Sequence, residues 1–242
     1  MIVNQYEQGW EIIYHRAHAL LAAQIAGHWR RQNAPPRLYE TVTAISHHDD
    51  LEKEWEDKNL TPAGAPLDFT LDRDINLPKL RKHSIDACYR GRWVAMLISM
   101  HMSFLIEGKR GESSEIDSFL DEQIERQKQF RQGLQISQQE ADEAYAFMQW
   151  CDRFSLILCQ QQLPMGERAL EISKGPDGKR YDVVQLQDER VSVTPWPFEE
   201  NEFTVNVEAS YLNQLQFESS AALTIALQTA PIKTLEWTFA KV

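Results

Sequence analysis

The sequence has few cysteines and no long apolar segment, and both absences limit the classes of protein that fit it. Its 242 residues include three cysteines, Cys88, Cys151 and Cys159, and no CxxC motif. The simplest interpretation is a cytoplasmic protein with reduced, packed thiols. The longest apolar run, Trp93 to Ile106, is too short to span a bilayer and predicts a core helix. No basic region precedes an apolar stretch at the start, so we expect no signal peptide.

Basic residues are outnumbered by acidic ones, which gives a formal net charge of −11. An acidic surface disfavours non-specific binding to nucleic acid and to anionic membranes. Small anionic substrates still fit, because a bound metal ion would supply local positive charge. The sequence also has no Gly-rich phosphate loop, Walker motif or nucleophile elbow. Its 43% hydrophobic content indicates a folded globular protein.

The pattern of apolar residues predicts an α+β fold, in which a mostly helical body precedes an antiparallel sheet. Residues 1–163 form the predicted helical domain, and it begins with a short hairpin that turns at Gln8-Gly9. Ser137 and Glu140 have the spacing of a capping box at the start of the last helix. Apolar residues at helical spacing predict five helices, and the third has a break near Gly91. The helices cover about residues 15–31, 36–55, 80–107, 114–134 and 137–161.

Residues 164–242 are predicted to form an antiparallel, β-rich part that packs on the helical domain. Its strand-like segments alternate or are rich in β-formers: ALEIS, YDVVQLQ, RVSVTPW, FTVNVEA and KTLEWTF. SSAALTIALQTA is predicted as a helix capped by Ser219, with a strand as the alternative. A lone hairpin is marginally stable in water, so we expect the N-terminal hairpin to join or pack near this sheet.

The segment 57–78 is irregular and rich in Pro, Gly and Asp. A loop of this length inside a compact domain is unusual unless it covers a site, which makes the segment a lid candidate. The alternative is a surface excursion that Leu67 and Phe69 pack onto the core.

Two polar residues of the segment ETVTAISHHDD are predicted to face the core. At 100° per residue, Asp49 falls inside the apolar stripe of this helix and His48 falls on its edge. His47 and Asp50 fall on the opposite side and face away. A buried metal site needs this arrangement.

Other polar residues are predicted inside neighbouring helices. His18 shares the apolar stripe of the first helix, whereas His15 lies on a neighbouring line and is the fallback ligand. Asp152 and His101 lie in helices that are apolar almost all round. A buried carboxylate must be paired, hydrogen-bonded or metal-bound, because an unpaired buried charge is too costly. His18, His48, Asp49 and Asp152 are therefore the candidate metal ligands as a set, although any one buried His or Asp taken alone is more often structural than a ligand. For His101, a structural role and a role as fifth ligand or as support for the ligands stay open.

Four blocks of sequence carry a resemblance to a known family: HALLAAQIAGHW, AISHHDD, LISMHMSFL and CDRFSLILC, with TPWPF in the sheet. In this order they resemble the uncharacterised bacterial domain-of-unknown-function family 3891, over most of the chain. The resemblance implies a shared helical core and no assigned reaction.

The order of the candidate ligands is also similar, more distantly, to that of HD-type metal-dependent phosphohydrolases: a histidine, a His-Asp pair, then a distant aspartate on helices. This similarity implies an HD-like helical body. Asp50-Leu51-Glu52 follows the pair here, in place of the small apolar stretch of the common HD pattern.

The first functional hypothesis is a metal-dependent phosphohydrolase acting on a nucleotide or other small phosphate ester. Nitrogen and carboxylate ligands favour a divalent metal ion such as Mn, Fe, Ni, Mg or Zn. Asp50 or His101 is the candidate base. Phosphate-binding candidates are Arg90, Arg92 and Arg153, although surface salt bridges explain these arginines equally well.

The second hypothesis is a non-catalytic ligand- or partner-binding protein that retains an HD-like core. The residues after the His-Asp pair and the added sheet both fit it. A helical haem or di-iron protein is disfavoured because Glu-x-x-His on facing helices is absent. The oligomeric state is left open.

Overall fold

The computed structural model describes residues 1–56, 59–72 and 74–242. In these ranges the chain is an α+β protein with seven α-helices and a seven-stranded sheet. The helices are α1 (His15–Gly27), α2 (Leu38–His47), α3 (Leu77–Asp86), α4 (Arg92–Glu107), α5 (Ser114–Leu134), α6 (Gln138–Cys159) and α7 (Ser220–Thr229). The strands are β1 (Ile2–Tyr6), β2 (Gly9–Ile13), β3 (Leu170–Lys174), β4 (Arg180–Gln185), β5 (Val191–Thr194), β6 (Glu202–Leu212) and β7 (Ile232–Ala240). None of the helices described has the length and apolarity that crossing a bilayer requires.

The sheet joins the N-terminal hairpin to the C-terminal strands in the order β1-β2-β6-β7-β5-β4-β3. The hairpin enters through β2, where Trp10 pairs with Leu212 of β6. Its predicted place beside the C-terminal strands is therefore confirmed. The prediction of a wholly antiparallel sheet is wrong at one pair, because β5 and β7 run parallel. β7 inserts between two strands of opposite direction, β5 and β6, so it can be antiparallel to only one of them.

Most helix predictions are confirmed, and two helices end earlier than predicted. α6 starts with the predicted capping box of Ser137 and Glu140, and Ser219 caps α7. α1 ends at Gly27 rather than near residue 31, because Trp29 forms a β-bridge with Phe198 instead. α2 ends at His47 rather than near residue 55. Its end belongs to the candidate site and is explained with it.

The segment 57–78 lies partly outside the described residues, at positions 57, 58 and 73. α3 begins inside it, with Asn76 as N-cap and Leu77 as the first helical residue. The described part before α3 lacks helices and strands, apart from an isolated bridge between Leu60 and Pro66. Phe69 is half-buried and packs against the core. A lid movement of this segment stays a prediction.

Two apolar cores flank the sheet. The larger core lies between the helices and one sheet face, where Ile13 is fully buried. Aromatic rings fill much of this core, and the ring centroids of Trp29 and Trp150 lie 4.9 Å apart in an edge-to-face arrangement. The smaller core lies on the other face, where Ile12 packs with Leu223 of α7. The larger core fixes α1 and α6, which carry two of the candidate ligands.

Gly9 lies where β2 approaches β6 closely, and a Cβ at this position would stand 1.9 Å from the carbonyl oxygen of Leu212. We expect Gly9→Ala to lower the free energy of unfolding by about 1–3 kcal/mol, because the backbone must move to accept the methyl group. Urea unfolding measures the change.

Gly27→Ala is the matched control, since a Cβ there has open space around it. It should leave the free energy of unfolding unchanged or raise it by up to about 1 kcal/mol, because alanine favours the helix. Equal stability of the two variants would contradict the close approach at Gly9.

Candidate metal centre

The four candidate metal ligands come together at the junction of α1, the C-terminal end of α2, and α6. Nε2 of His18 lies 2.8 Å from Oδ2 of Asp49. Nε2 of His48 lies 3.6 Å from the same oxygen and 3.3 Å from Oδ1 of Asp152. The ligand atoms of His18, His48 and Asp152 all lie within 4.8 Å of one another, as do those of His48, Asp49 and His101. These separations are compatible with ligands that share one ion.

The two middle residues of HHDD face inward, as the helical phase predicts. The side chain of His48 is 1% exposed, whereas that of His47 is 33% exposed. Nδ1 of His47 contacts Oδ2 of Asp50 at 2.7 Å, which holds this outer pair together. The end of α2 and the turn after it therefore divide the four residues into an inner and an outer pair.

A hydrogen bond at the end of α2 orients the ring of His48. Nδ1 of His48 lies 2.6 Å from the carbonyl oxygen of Ile45, and a carbonyl oxygen can only accept, so this nitrogen carries a proton. The bond satisfies one of the carbonyls that a helix end leaves without a partner. It also turns Nε2 toward the carboxylates of Asp49 and Asp152. Within the described residues, this buried Nε2 has no hydrogen-bond partner.

His18 is oriented in the same way by Ser155 of α6. The hydroxyl of Ser155 donates to the carbonyl oxygen of Asp152 at 2.8 Å. Its oxygen must therefore accept the contact from Nδ1 of His18, at 2.9 Å. Both imidazoles thus hold a proton on the outer nitrogen and direct Nε2 inward, where carboxylate oxygens also point. Without a metal ion, a proton on the inner nitrogen holds these contacts to the carboxylates, and a metal ion would take the place of that proton.

The charged groups of the cluster shift one another's pKa values. Burial disfavours the charged form of His48, but Asp49 and Asp152 outweigh it and raise the pKa of His48 to about 10. Burial also opposes charge on the two carboxyls, yet His48 holds the pKa of Asp49 well below its usual range and lowers that of Asp152. Burial lowers the pKa of His18. Around neutral pH the protein alone therefore holds two carboxylates and one imidazolium here.

His101 of α4 lies beside the cluster and is almost fully buried. Its ring centroid lies 5.0 Å from that of His48, in an edge-to-face arrangement. Nδ1 of His101 lies 3.4 Å from the hydroxyl oxygen of Tyr145. Burial lowers the pKa of His101 to about 4, so this ring is neutral around pH 7.

The cluster forms one wall of a cavity of about 510 Å³. His101 lines the cavity together with the four candidate ligands. The segment before α3 supplies another wall, with Leu67, Phe69, Asp72, Asp74 and Ile75. Leu67 and Phe69 both form part of the cavity wall, and Phe69 also packs the segment against the core.

The other predicted site residues are absent from the described lining of this cavity. Asp50 pairs with His47 and with Nη2 of Arg90, which is 3.1 Å from its Oδ2. Arg92 donates to the carbonyl oxygen of Gly133 at 3.1 Å. Arg153 lines a second, adjacent cavity. The structure therefore brings together the four predicted ligands and His101, and it separates them from Asp50, Arg90 and Arg92.

A family model described as "Protein of unknown function (DUF3891)" matches residues 1–214. The chain belongs to the DUF3891 family. The resemblance to this family is therefore confirmed, and the matched region includes every residue of the cluster. Comparisons of this DUF3891 member with curated proteins and with solved structures gave no match.

Sequence reasoning missed three residues that hold the cluster of this DUF3891 member in place. Ser155 orients His18, and Nε2 of His83 donates to the carbonyl oxygen of His48 at 3.0 Å. His83 and Ser155 lie on buried faces of α3 and α6, so the same search for polar residues on apolar stripes would have found them. Glu54 lies beyond the true end of α2, where helical phase gives no information.

Glu54 fixes the fallback ligand His15 at the edge of the cavity. It accepts from the backbone nitrogen of His15 at 2.8 Å, and Nδ1 of His15 lies 3.2 Å from the same carboxylate. That nitrogen also lies 2.8 Å from the amino group of Met1. His15 is thus bound to other groups and contributes no atom to the two candidate ligand sets.

The carboxyl of Glu54 has a depressed pKa, which makes its contribution to stability dependent on pH. Burial opposes its charge, but the hydrogen bond from His15 and the nearby amino group outweigh burial and lower the pKa to about 2. The stabilisation is therefore present above the ordinary pKa of 4.5 and is lost as pH falls toward 2. Between pH 5 and pH 3 we expect wild type to lose about 2 kcal/mol more than Glu54→Gln. Urea unfolding at both pH values measures this difference, and parallel pH profiles would contradict it.

Proposed function

We propose that the cluster of His18, His48, Asp49 and Asp152 binds a divalent metal ion, and that the protein is a metal-dependent phosphohydrolase acting on small phosphate esters. One observation carries the proposal. Two inner imidazole nitrogens and two carboxylates converge, while the outer nitrogen of each ring is committed to an outer partner. Supporting groups of this kind commonly orient metal-binding histidines.

The donor set suits a metal ion better than a purely structural role. A structural histidine usually makes a well-aligned hydrogen bond at each buried nitrogen, whereas Nε2 of His48 makes none among the described residues, although Oδ1 of Asp152 lies 3.3 Å away. Two nitrogens and two carboxylates suit Mn, Fe, Ni, Zn or Mg. The HD-like order of the ligands along the chain supports the same assignment.

The bound ion would supply Lewis acidity toward a phosphoryl oxygen and lower the pKa of a water molecule. The protein's own groups orient the site and handle protons. Ile45 and Ser155 fix the two rings, and His83 holds the backbone at His48. His101 is the better candidate base than Asp50, because it lines the cavity and is neutral around pH 7. In the net reaction, water adds to phosphorus, the ester P–O bond breaks, and the alcohol leaves with a proton.

A non-catalytic metal-binding protein is the alternative, and the charge of the cavity favours it. Asp72 and Asp74 line the cavity with Glu52, whereas Lys79 is the single lysine or arginine among its described lining residues. Lys79 itself lies 3.4 Å from Glu52. A phosphate therefore meets little positive charge there except that of the ion itself.

Metal binding predicts different responses of neighbouring histidine variants to a chelator. Wild type and His47→Ala should lose thermal stability when a chelator removes the ion, because the ion links α1, α2 and α6. His48→Ala and Asp49→Ala should show no response. An ion at about 100 times its dissociation constant contributes roughly 2.7 kcal/mol of stability. Thermal unfolding with and without chelator, together with elemental analysis, measures the effect.

His47→Ala is the matched control, because it removes the outer histidine of the same dipeptide. An equal chelator response in His48→Ala and wild type would place the ion elsewhere. A metal-free wild type that shows no response after incubation with Mn²⁺, Ni²⁺ or Zn²⁺ would contradict the metal proposal.

Catalysis predicts phosphate release from simple esters by the metal-loaded protein. We expect hydrolysis of aryl phosphates, or of members of a nucleotide panel, to be lost in Asp49→Asn, which keeps the shape of the side chain and removes its charge. Wild type and His47→Ala should have equal rates. A protein that binds one ion per chain and hydrolyses none of these esters would establish the non-catalytic alternative.

A further inference from the structure

A second cavity, of about 1060 Å³, adjoins the metal cavity. One of its walls is α6, and the others are the C-terminal end of α4 and the hairpin of β3 and β4. Leu105, Asp152 and Leu156 line both cavities. Asp152 therefore lies between the two cavities, with the proposed metal site on one side and the second cavity on the other.

The second cavity is predominantly apolar near the metal cluster. Phe104 and Leu105 contribute to its lining, and they are 58% and 49% exposed. Ala146, Leu156 and Pro176 continue this surface across α6 to the hairpin turn. Exposed apolar side chains that line a concave surface are typical of ligand sites. An apolar group of a ligand would remove this surface from water.

Arg153 lines this cavity and has no ion-pair or hydrogen-bond partner among the described residues. Asp142 and Glu143 line the cavity as well, and they accept hydrogen bonds from the amides of Gln138 and Gln139 rather than from Arg153. The guanidinium is therefore available to an anion, and it follows directly after Asp152 in the chain. A planar guanidinium suits the oxygens of a phosphate or sulfonate. Lys174 adds a second positive charge to the lining.

The metal cavity offers an anion no comparable group. Its described lining carries five carboxylates, Asp49, Glu52, Asp72, Asp74 and Asp152, against one lysine. A divalent ion offsets two of these charges, so the remaining lining still repels an approaching phosphate. The described lining of the second cavity has three carboxylates, Asp142, Glu143 and the shared Asp152, against Arg153 and Lys174. Its excess of negative charge is therefore smaller, and the side of Arg153 is the more favourable approach to the cluster for an anion.

We infer that the second cavity is the substrate site for the apolar part of a phosphate monoester, with Arg153 binding its anionic group beside Asp152. The inference rests on the proposed function, and it names the substrate class: an ester of a bulky apolar or aromatic alcohol. A small hydrophilic ester would leave the apolar lining exposed to water.

The binding site can be tested without catalysis, using anilinonaphthalene sulfonate as an apolar anion whose fluorescence rises in apolar surroundings. We expect the metal-free, full-length protein to bind it. Arg153→Ala should weaken binding about tenfold or more, since a charge-assisted contact is lost. Ala146→Trp should abolish binding by filling the cavity.

Arg131→Ala is the matched control, because Arg131 is also half-buried and without an ion pair among the described residues, but lies on α5 and lines neither cavity. It should bind the probe as wild type does. Thermal unfolding verifies that each variant is folded, and Arg153→Ala keeps the test decisive if Ala146→Trp is unstable. Equal probe binding in wild type, Arg153→Ala and Arg131→Ala would overturn the inference.

A kinetic arm separates this inference from the proposed function. With the metal-loaded enzyme, naphthyl phosphate should have a higher kcat/KM than phenyl phosphate, whose leaving group has similar basicity. Arg153→Ala should lower kcat/KM for both esters, because it removes the contact to the phosphate that they share, while metal content stays unchanged. Probe binding that depends on Arg153, without hydrolysis of either ester, would support the binding site and refute the hydrolase. Hydrolysis of both esters with equal kcat/KM, unaffected by Arg153→Ala, would refute the site and leave the hydrolase standing.

Discussion

The hydrogen bond from Nδ1 of His48 to the carbonyl oxygen of Ile45 fixes both the end of α2 and the direction of the inner nitrogen. A helix that continued past this point would give the carbonyl of Ile45 to the backbone of Asp49 instead. Because the side chain of His48 occupies this carbonyl, the backbone is free to leave the helix. Asp49, in the turn that follows, then reaches the cluster. His83 then fixes the carbonyl of His48 from α3. The geometry of the cluster follows from this one capping interaction.

Sequence periodicity was sufficient to find the inner residues of the cluster. Apolar stripes on α1 and α2 and the apolar surroundings of Asp152 on α6 each point to a buried polar residue, and helical phase separates His48 from His47. Periodicity did not predict the end of α2. The residues after Asp50 are compatible with a helix, but contacts from α3 hold the chain in a different conformation there. Periodicity also left the role of the arginines open, because Arg90 and Arg92 bind Asp50 and Gly133, some 40 residues away along the chain. Pairings between distant segments leave no local periodic signal, and the parallel contact of β5 with β7 is missed for the same reason.

The cluster is costly for the protein to keep. Removing carboxylates and imidazoles from water costs several kcal/mol per charged group, and mutual attraction repays this cost only with good geometry and complete hydrogen bonding. Here the inner nitrogen of His48 faces two carboxylates but makes no well-aligned hydrogen bond among the described residues. The aromatic core around Trp29 and Trp150 supplies the rigidity that keeps α1 and α6 in place despite this. A place where an otherwise consistent fold gives up local stability is typically a functional site.

The pairing of the N-terminal hairpin with β6 has a consequence for how the chain is made. Trp10 and Leu212 are neighbours in the sheet although 202 residues separate them in the sequence (212 − 10). On the ribosome the hairpin is synthesised first and cannot find its partner strand until nearly the whole chain has emerged. Contacts of such large sequence separation form slowly, since closing the loop costs entropy before the pairing repays it. The helices between them depend on local contacts and can form earlier. The edge of β2 thus stays unpaired until β6 is made, which exposes it to wrong strand partners.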